Sequence, residues 1–271
     1  MIEDLFFLER MAYRESRLHQ LDPRVKILAT FAVIISIVAV PYSPAVYTAG
    51  VILFIFFAAL WALSGIPPAV YGKRLLAIAP LWGIIILFQI FVTNRYYTDY
   101  HAIVVFPLGV TIYAESVQFA SILAVKFLVC LSFIILLSVT TKTQDLLQGA
   151  GRLGLPAEFA LALGMMIRYL FVFGYIYRKV NEALATRCFN PFDHSLPYRY
   201  RISQLGYTIG TLFLRSYEQG ERVYTSMCCR GYGRHSHLVF EKKPLSPVEW
   251  AFLSVSVSIA VGATLLAILL T

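Results

Sequence analysis

Charged side chains are scarce in this sequence, and their scarcity excludes most classes of soluble protein. Asp, Glu, Lys and Arg make up 14% of the 271 residues, whereas a typical soluble domain has about 25%. Hydrophobic residues make up 59%. Because lipid offers no partners to backbone polar groups, long apolar segments must fold there as helices. The sequence therefore predicts an all-α integral membrane protein in contact with the lipid bilayer.

Cysteine is also sparse, and its distribution offers no disulfide framework. The four residues are Cys130, Cys188, Cys228 and Cys229. The adjacent pair, Cys228 and Cys229, is poorly suited to a mutual disulfide. The segment before the first apolar run is rich in charge, which is the wrong shape for a cleaved signal peptide. We expect the polar part of the chain to face a reducing cytoplasm and the first membrane helix to be retained.

Motifs for catalysis are missing as well. No Walker-type glycine loop is present, so the chain is not expected to bind ATP in the usual way. A lipid-modifying membrane enzyme, the alternative of another class, needs acids or histidines clustered at the membrane edge. The acidic candidates are instead scattered: Asp145, Glu158 and Glu182. We expect that the chain is not an enzyme and that it has no cofactor.

Histidine, cysteine and net charge suggest two further ligands, neither of which we favour. His194, His235 and His237 lie near the two adjacent cysteines, and imidazole and thiolate ligate cobalt and nickel. Their spacing matches no established metal motif, so solvated loop histidines are the expectation. The net charge of +8 could indicate nucleic acid, but membrane proteins collect Lys and Arg in cytoplasmic loops for reasons of topology. We predict no metal site and no nucleic-acid partner.

Five apolar runs are long enough to cross a bilayer, which takes roughly 20 helical residues. They lie near 26–41, 45–63, 75–92, 116–139 and 248–270. Basic residues before the first run, and Lys73 and Arg74 after the second, place those regions inside. The connection around 93–115 holds one basic residue, Arg95, among aromatic residues and belongs outside. We expect a multi-pass protein of the cell (inner) membrane with a cytoplasmic N-terminus and an external C-terminus.

The run from Ala157 to Tyr177 is ambiguous, since it is long enough to span but contains Arg168. An arginine at the centre of a membrane helix costs about 3 kcal/mol on insertion scales. If this run crossed, residues 178–243 with their eleven Lys and Arg would be exported, against the positive-inside rule. We therefore interpret the run as lying at a shallow angle or packing on other helices.

Three domains follow from these boundaries. Residues 1–141 form an N-terminal membrane domain with four spans, 142–246 a cytoplasmic domain of amphipathic helices, and 247–271 a last membrane helix. Within the middle segment, the Gly154-Leu155-Pro156 sequence predicts a helix end and a new start, because proline and glycine interrupt helices. A long amphipathic helix is predicted from about 201 to 229, with apolar residues at three- and four-residue steps.

A local repeat marks two helix ends in the cytoplasmic segment. The first copy has Lys179, Val180, Ala183, Leu184, Arg187 and Phe189, matched at a constant offset by Arg222, Val223, Ser226, Met227, Arg230 and Tyr232. Each arginine has small neighbours, which are Thr186 and Cys188 in one copy and Cys229 and Gly231 in the other. Arginine carries five donors in a rigid fork and stays charged, so it suits insertion into a partner. Two copies favour docking on two equivalent sites, such as a dimer of similar subunits.

Several segments together resemble the transmembrane T components of energy-coupling factor (ECF) transporters. These are SRLHQLDPRVK at 16–26, RLGLP at 152–156, and the two small-Arg-small tripeptides, so the resemblance covers nearly the whole chain. It implies that Arg187 and Arg230 insert into two cytoplasmic ATP-binding-cassette ATPase subunits. It also implies that the amphipathic helices act as coupling helices, which pass ATP-driven motion to a substrate-binding membrane S component.

The run from 214 to 233 is most similar to the cobalt-type members, CbiQ and EcfT. The resemblance therefore implies a non-catalytic scaffold for cobalt uptake with a cobalt-type S component. The same role for nickel or a vitamin remains an alternative, because a T component need not contact the transported substrate. The tripeptides depart slightly from the usual pattern, with Thr186 and Cys229 where alanine commonly precedes the arginine.

Overall fold

The fold is described from a computed structural model in which residues 16, 18–91, 102–105, 111–187, 189, 196–233 and 244–270 are placed. Eight helices lie in these ranges: α1 (Pro23–Ala39), α2 (Ala45–Ser64), α3 (Pro68–Phe91), α4 (Ala114–Thr140), α5 (Thr143–Arg152), α6 (Ala157–Thr186), α7 (Tyr198–Cys229) and α8 (Pro247–Leu269). The prediction of an all-α membrane protein is confirmed for the architecture as a whole.

The first compact unit contains helices α1–α5 and α8. Helices α1 and α4 lie at its centre and contact the others. Its core joins aliphatic residues of several helices, among them Val33, Leu53 and Val129, all essentially inaccessible to solvent. Gly50 of α2 lies so close to α4 that an added Cβ would be 2.5 Å from Cγ1 of Val125. Small residues of this kind let helix backbones approach closely in a membrane.

Five of the helices are long and apolar enough to cross a bilayer. They are α2, α3, α4, α8 and the stretch Glu158–Thr186 of α6. The first predicted span, near 26–41, falls on α1, which is not among these five because its 17 residues extend only about 25 Å. The predicted spans near 45–63, 75–92, 116–139 and 248–270 fall on α2, α3, α4 and α8. Helix α3 begins at Pro68, before the predicted start. The prediction began later because the first turns of α3 carry Lys73 and Arg74, which interrupt the apolar run.

Lys126, in the middle of α4, is buried by the end of α1. Its Nζ donates to the carbonyl oxygens of Val38 and Val40, and it lies 4.3 Å from the ring centre of Tyr42. The last carbonyls of a helix have no partner within the helix. Lys126 therefore caps the C-terminal end of α1, which accounts for a charged residue in the middle of this helix.

Two short strands interrupt the helical architecture between α3 and α4. Strand β1 (Ala102–Val105) pairs antiparallel with β2 (Thr111–Tyr113), with Ala102 opposite Tyr113. The sequence interpretation treated this stretch as an aromatic loop. The β-branched residues Ile103, Val104 and Val105 are the signal it passed over, because such residues favour strands.

The second compact unit contains α6 and α7. Helix α6 runs without a break for 30 residues and includes the predicted ambiguous run, with Arg168 exposed. Helix α7 has 32 residues, and none of them is buried in the part of the chain that the structure describes. The helix start after Pro156 and the predicted helix near 201–229 both match observed elements. Short helix α5, placed by the sequence in the cytoplasmic domain, clusters with the first unit; the three domain boundaries themselves stay predictions.

Candidate functional site

The end of α6 presents the first predicted arginine. The helix ends at Thr186, and Arg187 follows as its C-cap with φ −90° and ψ 16°. The backbone N–H of Arg187 and that of Phe189 both donate to the carbonyl oxygen of Leu184, at 3.1 and 3.0 Å. These bonds satisfy a carbonyl group that the helix itself leaves without a partner. The backbone carrying Arg187 is therefore fixed by the helix end.

The end of α7 has the same construction. Arg230 is the C-cap with φ −92° and ψ 11°, and the N–H groups of Arg230 and Tyr232 both donate to the Met227 carbonyl at 3.0 Å. Gly231 follows with φ +86° and donates to Cys228 at 3.0 Å. This is the Schellman arrangement, in which a glycine takes the left-handed conformation just after the helix. Gly231 thus serves the backbone turn that presents Arg230.

Each residue of this hydrogen-bond pattern in α6 corresponds to one in α7 at the offset of the sequence repeat. Leu184 corresponds to Met227, and Phe189 to Tyr232. The apolar repeat positions also agree in exposure, since Val180 and Leu184 on α6 are half-buried, as are Val223 and Met227 on α7. The repeat seen in the sequence is therefore a repeat in three dimensions of a helix end with one apolar face.

The arginine side chains themselves extend into solvent. Arg187 and Arg230 are exposed, and within the described ranges no hydrogen bond or ion pair holds either guanidinium. Arg222, by contrast, pairs with Glu218 one turn away at 3.7 Å. A charged fork of donors without a partner in its own chain is available to a carboxylate, carbonyl or phosphate of another molecule.

The neighbours of the arginines leave them open to approach. Thr186 is exposed and donates its hydroxyl proton to the Ala183 carbonyl at 2.9 Å, so it presents mainly its methyl group. Cys229 and Gly231 are exposed as well. Cys188, the remaining predicted site residue, lies outside the described residues. The same is true of His194, His235 and His237, so the unfavoured metal site is not tested; among the described ranges no group of metal-ligating side chains occurs.

Between α6 and α7 lies an apolar groove of about 290 Å³. Three methionines contribute to its wall, Met165, Met166 and Met227, together with Tyr169 and Phe173. Methionine adapts its shape readily and is common on surfaces that accept varied apolar partners. The unit that carries the two arginines thus also carries an apolar groove.

Sequence reasoning missed a second polar cluster, at the start of α1. The Asp22 carboxylate accepts a hydrogen bond from the Arg24 N–H at 3.0 Å and lies 3.6 Å from a guanidinium nitrogen of Arg152. Glu249 accepts from the Asp22 N–H at 2.9 Å and from the Ser246 N–H at 2.6 Å. The signal was available, because Ser246 and Glu249 have the spacing of a capping box. What no spacing could show is that Glu249 also reaches Asp22.

Comparison with known proteins gives consistent matches. The CbiQ family model, a cobalt transport protein, matches residues 14–239. An uncharacterized protein of Methanocaldococcus jannaschii is 25% identical over 259 residues, 94% of this chain and 85% of its own length.

The energy-coupling factor transporter transmembrane protein EcfT of Bacillus selenitireducens is 28% identical over 226 residues, 80% of each chain. A putative fused cobalt transport protein, CbiMQ of Methanocorpusculum labreanum, is 25% identical over 241 residues, which are 86% of this chain and 38% of that protein. Because the family model covers most of the sequence and the helices are those of a membrane protein, the chain belongs to the CbiQ/EcfT family of ECF transporter transmembrane components.

Proposed function

We propose that this chain couples ATP hydrolysis in partner subunits to uptake of a substrate held by another membrane subunit. Arg187 and Arg230 dock on two cytoplasmic ATP-binding-cassette ATPase subunits, one arginine on each. Movement of those subunits on ATP binding displaces α6 and α7. The helices pass the displacement to a membrane S component, and the chain itself catalyses nothing.

The observation that carries this proposal is the matching construction of the two helix ends. Two arginines with the same C-cap dihedral angles and the same backbone bonds are suited to two equivalent pockets. A solvated arginine that only complements the helix dipole would need no such match of the residues around it. The match therefore favours a partner that is itself a pair of similar subunits.

Exposure of α7 gives independent support for partner subunits. Large apolar side chains are more than half exposed along its length, and they include Tyr207, Ile209, Phe213, Leu214, Tyr217 and Tyr224. Soluble surfaces rarely expose contiguous apolar patches of this kind unless another molecule covers them. We infer that α7 is covered by lipid and by partner subunits in the assembled transporter.

We propose a divalent cobalt ion as the substrate, with nickel or a vitamin as the alternative. The support is the cobalt transport description of the family model and of the fused relative. That relative is more than twice as long as the segment matched here, so its remaining part is a candidate for the membrane partner that this chain would bind as a separate subunit.

The first experiment removes the docking guanidinium groups. The chain is co-expressed with candidate ATPase and S subunits as wild type, Arg187→Ala, Arg230→Ala and the double variant. Because each arginine is a separate anchor, each single variant is expected to reduce ATPase recovery and ATP-dependent cobalt uptake. Loss of a charge-assisted contact at an interface costs about 2–5 kcal/mol, so the double variant should retain almost no recovery.

Arg199→Ala is the matched control, since Arg199 is exposed on α7 but lies at the opposite end of the helix. Membrane insertion is measured for all variants by extraction and gel filtration. If the double variant is well inserted and still recovers the ATPases and transports cobalt at the control level, the docking role is wrong. Competition of uptake by nickel or by a vitamin decides the substrate separately.

A further inference from the structure

The polar cluster at the start of α1 joins three segments that are far apart in the sequence. Asp22 stands before the first turn of α1, Arg152 ends α5, and Glu249 lies in the first turn of α8. The Asp22 carboxylate lies 3.3 Å from a guanidinium nitrogen of Arg24 and 3.6 Å from one of Arg152, and the backbone N–H of Asp22 donates to Glu249 at 2.9 Å. The Asp22 side chain is 6% exposed and that of Arg152 16%, so water screens the pair weakly.

A backbone contact reinforces the ion pair on the same side of α1. Gly149 of α5 lies against Pro23 and Arg24, where an added Cβ would be 3.0 Å from the Pro23 Cβ and 3.3 Å from the Arg24 nitrogen. A ten-residue helix is marginal on its own, so α5 depends on such contacts. Glycine and the ion pair together hold α5 tightly on the first turn of α1.

Helix α5 is joined to the coupling helix α6 by a short link. Helix α5 is the last element tied to α1 before the chain enters α6, with Leu153–Pro156 between them. Gly154 in that link has φ +116°, a conformation that only glycine adopts readily. Four residues therefore join α6 to α5, and α5 contacts the start of α1 through Gly149 and Arg152.

We propose that Asp22, Arg152 and Glu249 form an anchor that transmits motion of the coupling helices to α1 and α8. They are positioning residues, which act through α5 and do not touch substrate or nucleotide. The inference rests on the proposed function, since it names the route by which α6 acts on the membrane helices. A purely structural role would require only that the three side chains stabilise the fold.

The test compares Arg152→Gln with Arg152→Lys in the co-expressed complex. Glutamine removes the charge at position 152 but keeps much of the side chain's length. Lysine keeps a cation on α5 for Asp22, whose carboxylate pairs with Arg24 of its own helix in every variant. We expect the Arg152→Gln chain to insert into the membrane and to recover the ATPase subunits like wild type, and the complex to hydrolyse ATP at the wild-type rate. Cobalt uptake per ATP hydrolysed should fall about fivefold or more, which is the lower end of typical coupling between sites. Arg152→Lys should restore most of that ratio. An unchanged ratio, or a loss of uptake that only follows loss of protein, overturns the anchor.

Hydrogen exchange on the purified chain tests the linkage without any partner subunit. In Arg152→Gln, we expect faster exchange in the first turns of α1 and α8 as well as in α5. Faster exchange confined to α5 would show that Arg152 is not linked to the other two helices and would overturn the proposal. Failure of the docking function appears instead in the Arg187 and Arg230 variants, so the two ideas fail separately.

Discussion

The charged side chains discussed above are of two kinds: buried ones that are paired within the chain, and exposed ones that are not. Lys126 and Asp22 are buried and paired within the first unit, whereas the guanidinium groups of Arg187 and Arg230 are exposed and have no partner among the described residues. Burying a polar group costs free energy unless the group is paired, whereas an exposed polar group remains hydrated and has no such cost. This contrast separates the residues that build the scaffold from those available for docking.

Lys126 gives a prediction about stability. Changing it to methionine keeps the length of the side chain but removes the donor to the carbonyls of Val38 and Val40, and the Val40 carbonyl then lies buried without a partner. A buried unsatisfied polar group costs about 1–3 kcal/mol. We expect a lower melting temperature in detergent, measured by gel filtration after heating. Lys73→Met, at an exposed position, should melt like wild type; equal melting of both variants would contradict the capping role.

The two helix ends that carry Arg187 and Arg230 could be predicted from the sequence, but the polar cluster around Asp22 could not. A repeat at constant offset is visible in one chain, and the helix ends it marked are where the structure has them. The anchor depends on Asp22 meeting residues 130 and 227 positions away, and no local pattern specifies such contacts. Local signals such as the capping box at Ser246 predict a helix start but not which other helix it touches.

At the scale of helices, the boundaries set by proline and glycine were predictable, whereas those set by packing were not. Helix α6 begins after Pro156, in agreement with the sequence, and α7 begins after Pro197, three residues before its predicted start. The assignment of α5 to the cytoplasmic segment followed its polar composition, but its contact with α1 depends on Gly149. Composition indicates whether a helix suits water or lipid, but only tertiary packing decides which other helix it contacts.

The contact between α2 and α4 gives a second stability prediction. In Gly50→Ala the new methyl group would lie 2.5 Å from Cγ1 of Val125, and valine is stiff at χ1, so the helices must separate. Overpacking of this kind costs about 1–3 kcal/mol. Adding Val125→Ala should recover most of the loss, measured as melting temperature in detergent. Gly262→Ala is the control, because nothing lies within 4 Å of its added Cβ; a Gly50→Ala variant as stable as this control would contradict the close approach.

For the molecule as a whole, function depends on how many times the chain crosses the membrane. The predicted crossings, by α1, α2, α3, α4 and α8, and the predicted cytoplasmic N-terminus would put the C-terminus outside. A sixth crossing by α6 would return it to the inside. Helix α6 has the length to cross, but it carries Arg168 at an exposed position, and the segment beyond it is strongly basic. The positive-inside rule therefore opposes the sixth crossing.

Reporter fusions decide between five and six crossings. Alkaline phosphatase is active only outside the cytoplasm and green fluorescent protein is fluorescent only inside. We expect an active phosphatase at the C-terminus after Leu270, and a fluorescent protein joined after Gly233. Both results place the ends of α6 and α7 in the cytoplasm, where ATPase subunits could bind them. A dark fusion after Gly233 with an inactive phosphatase at the C-terminus would put Arg187 and Arg230 outside, and docking to cytoplasmic ATPases would then be impossible.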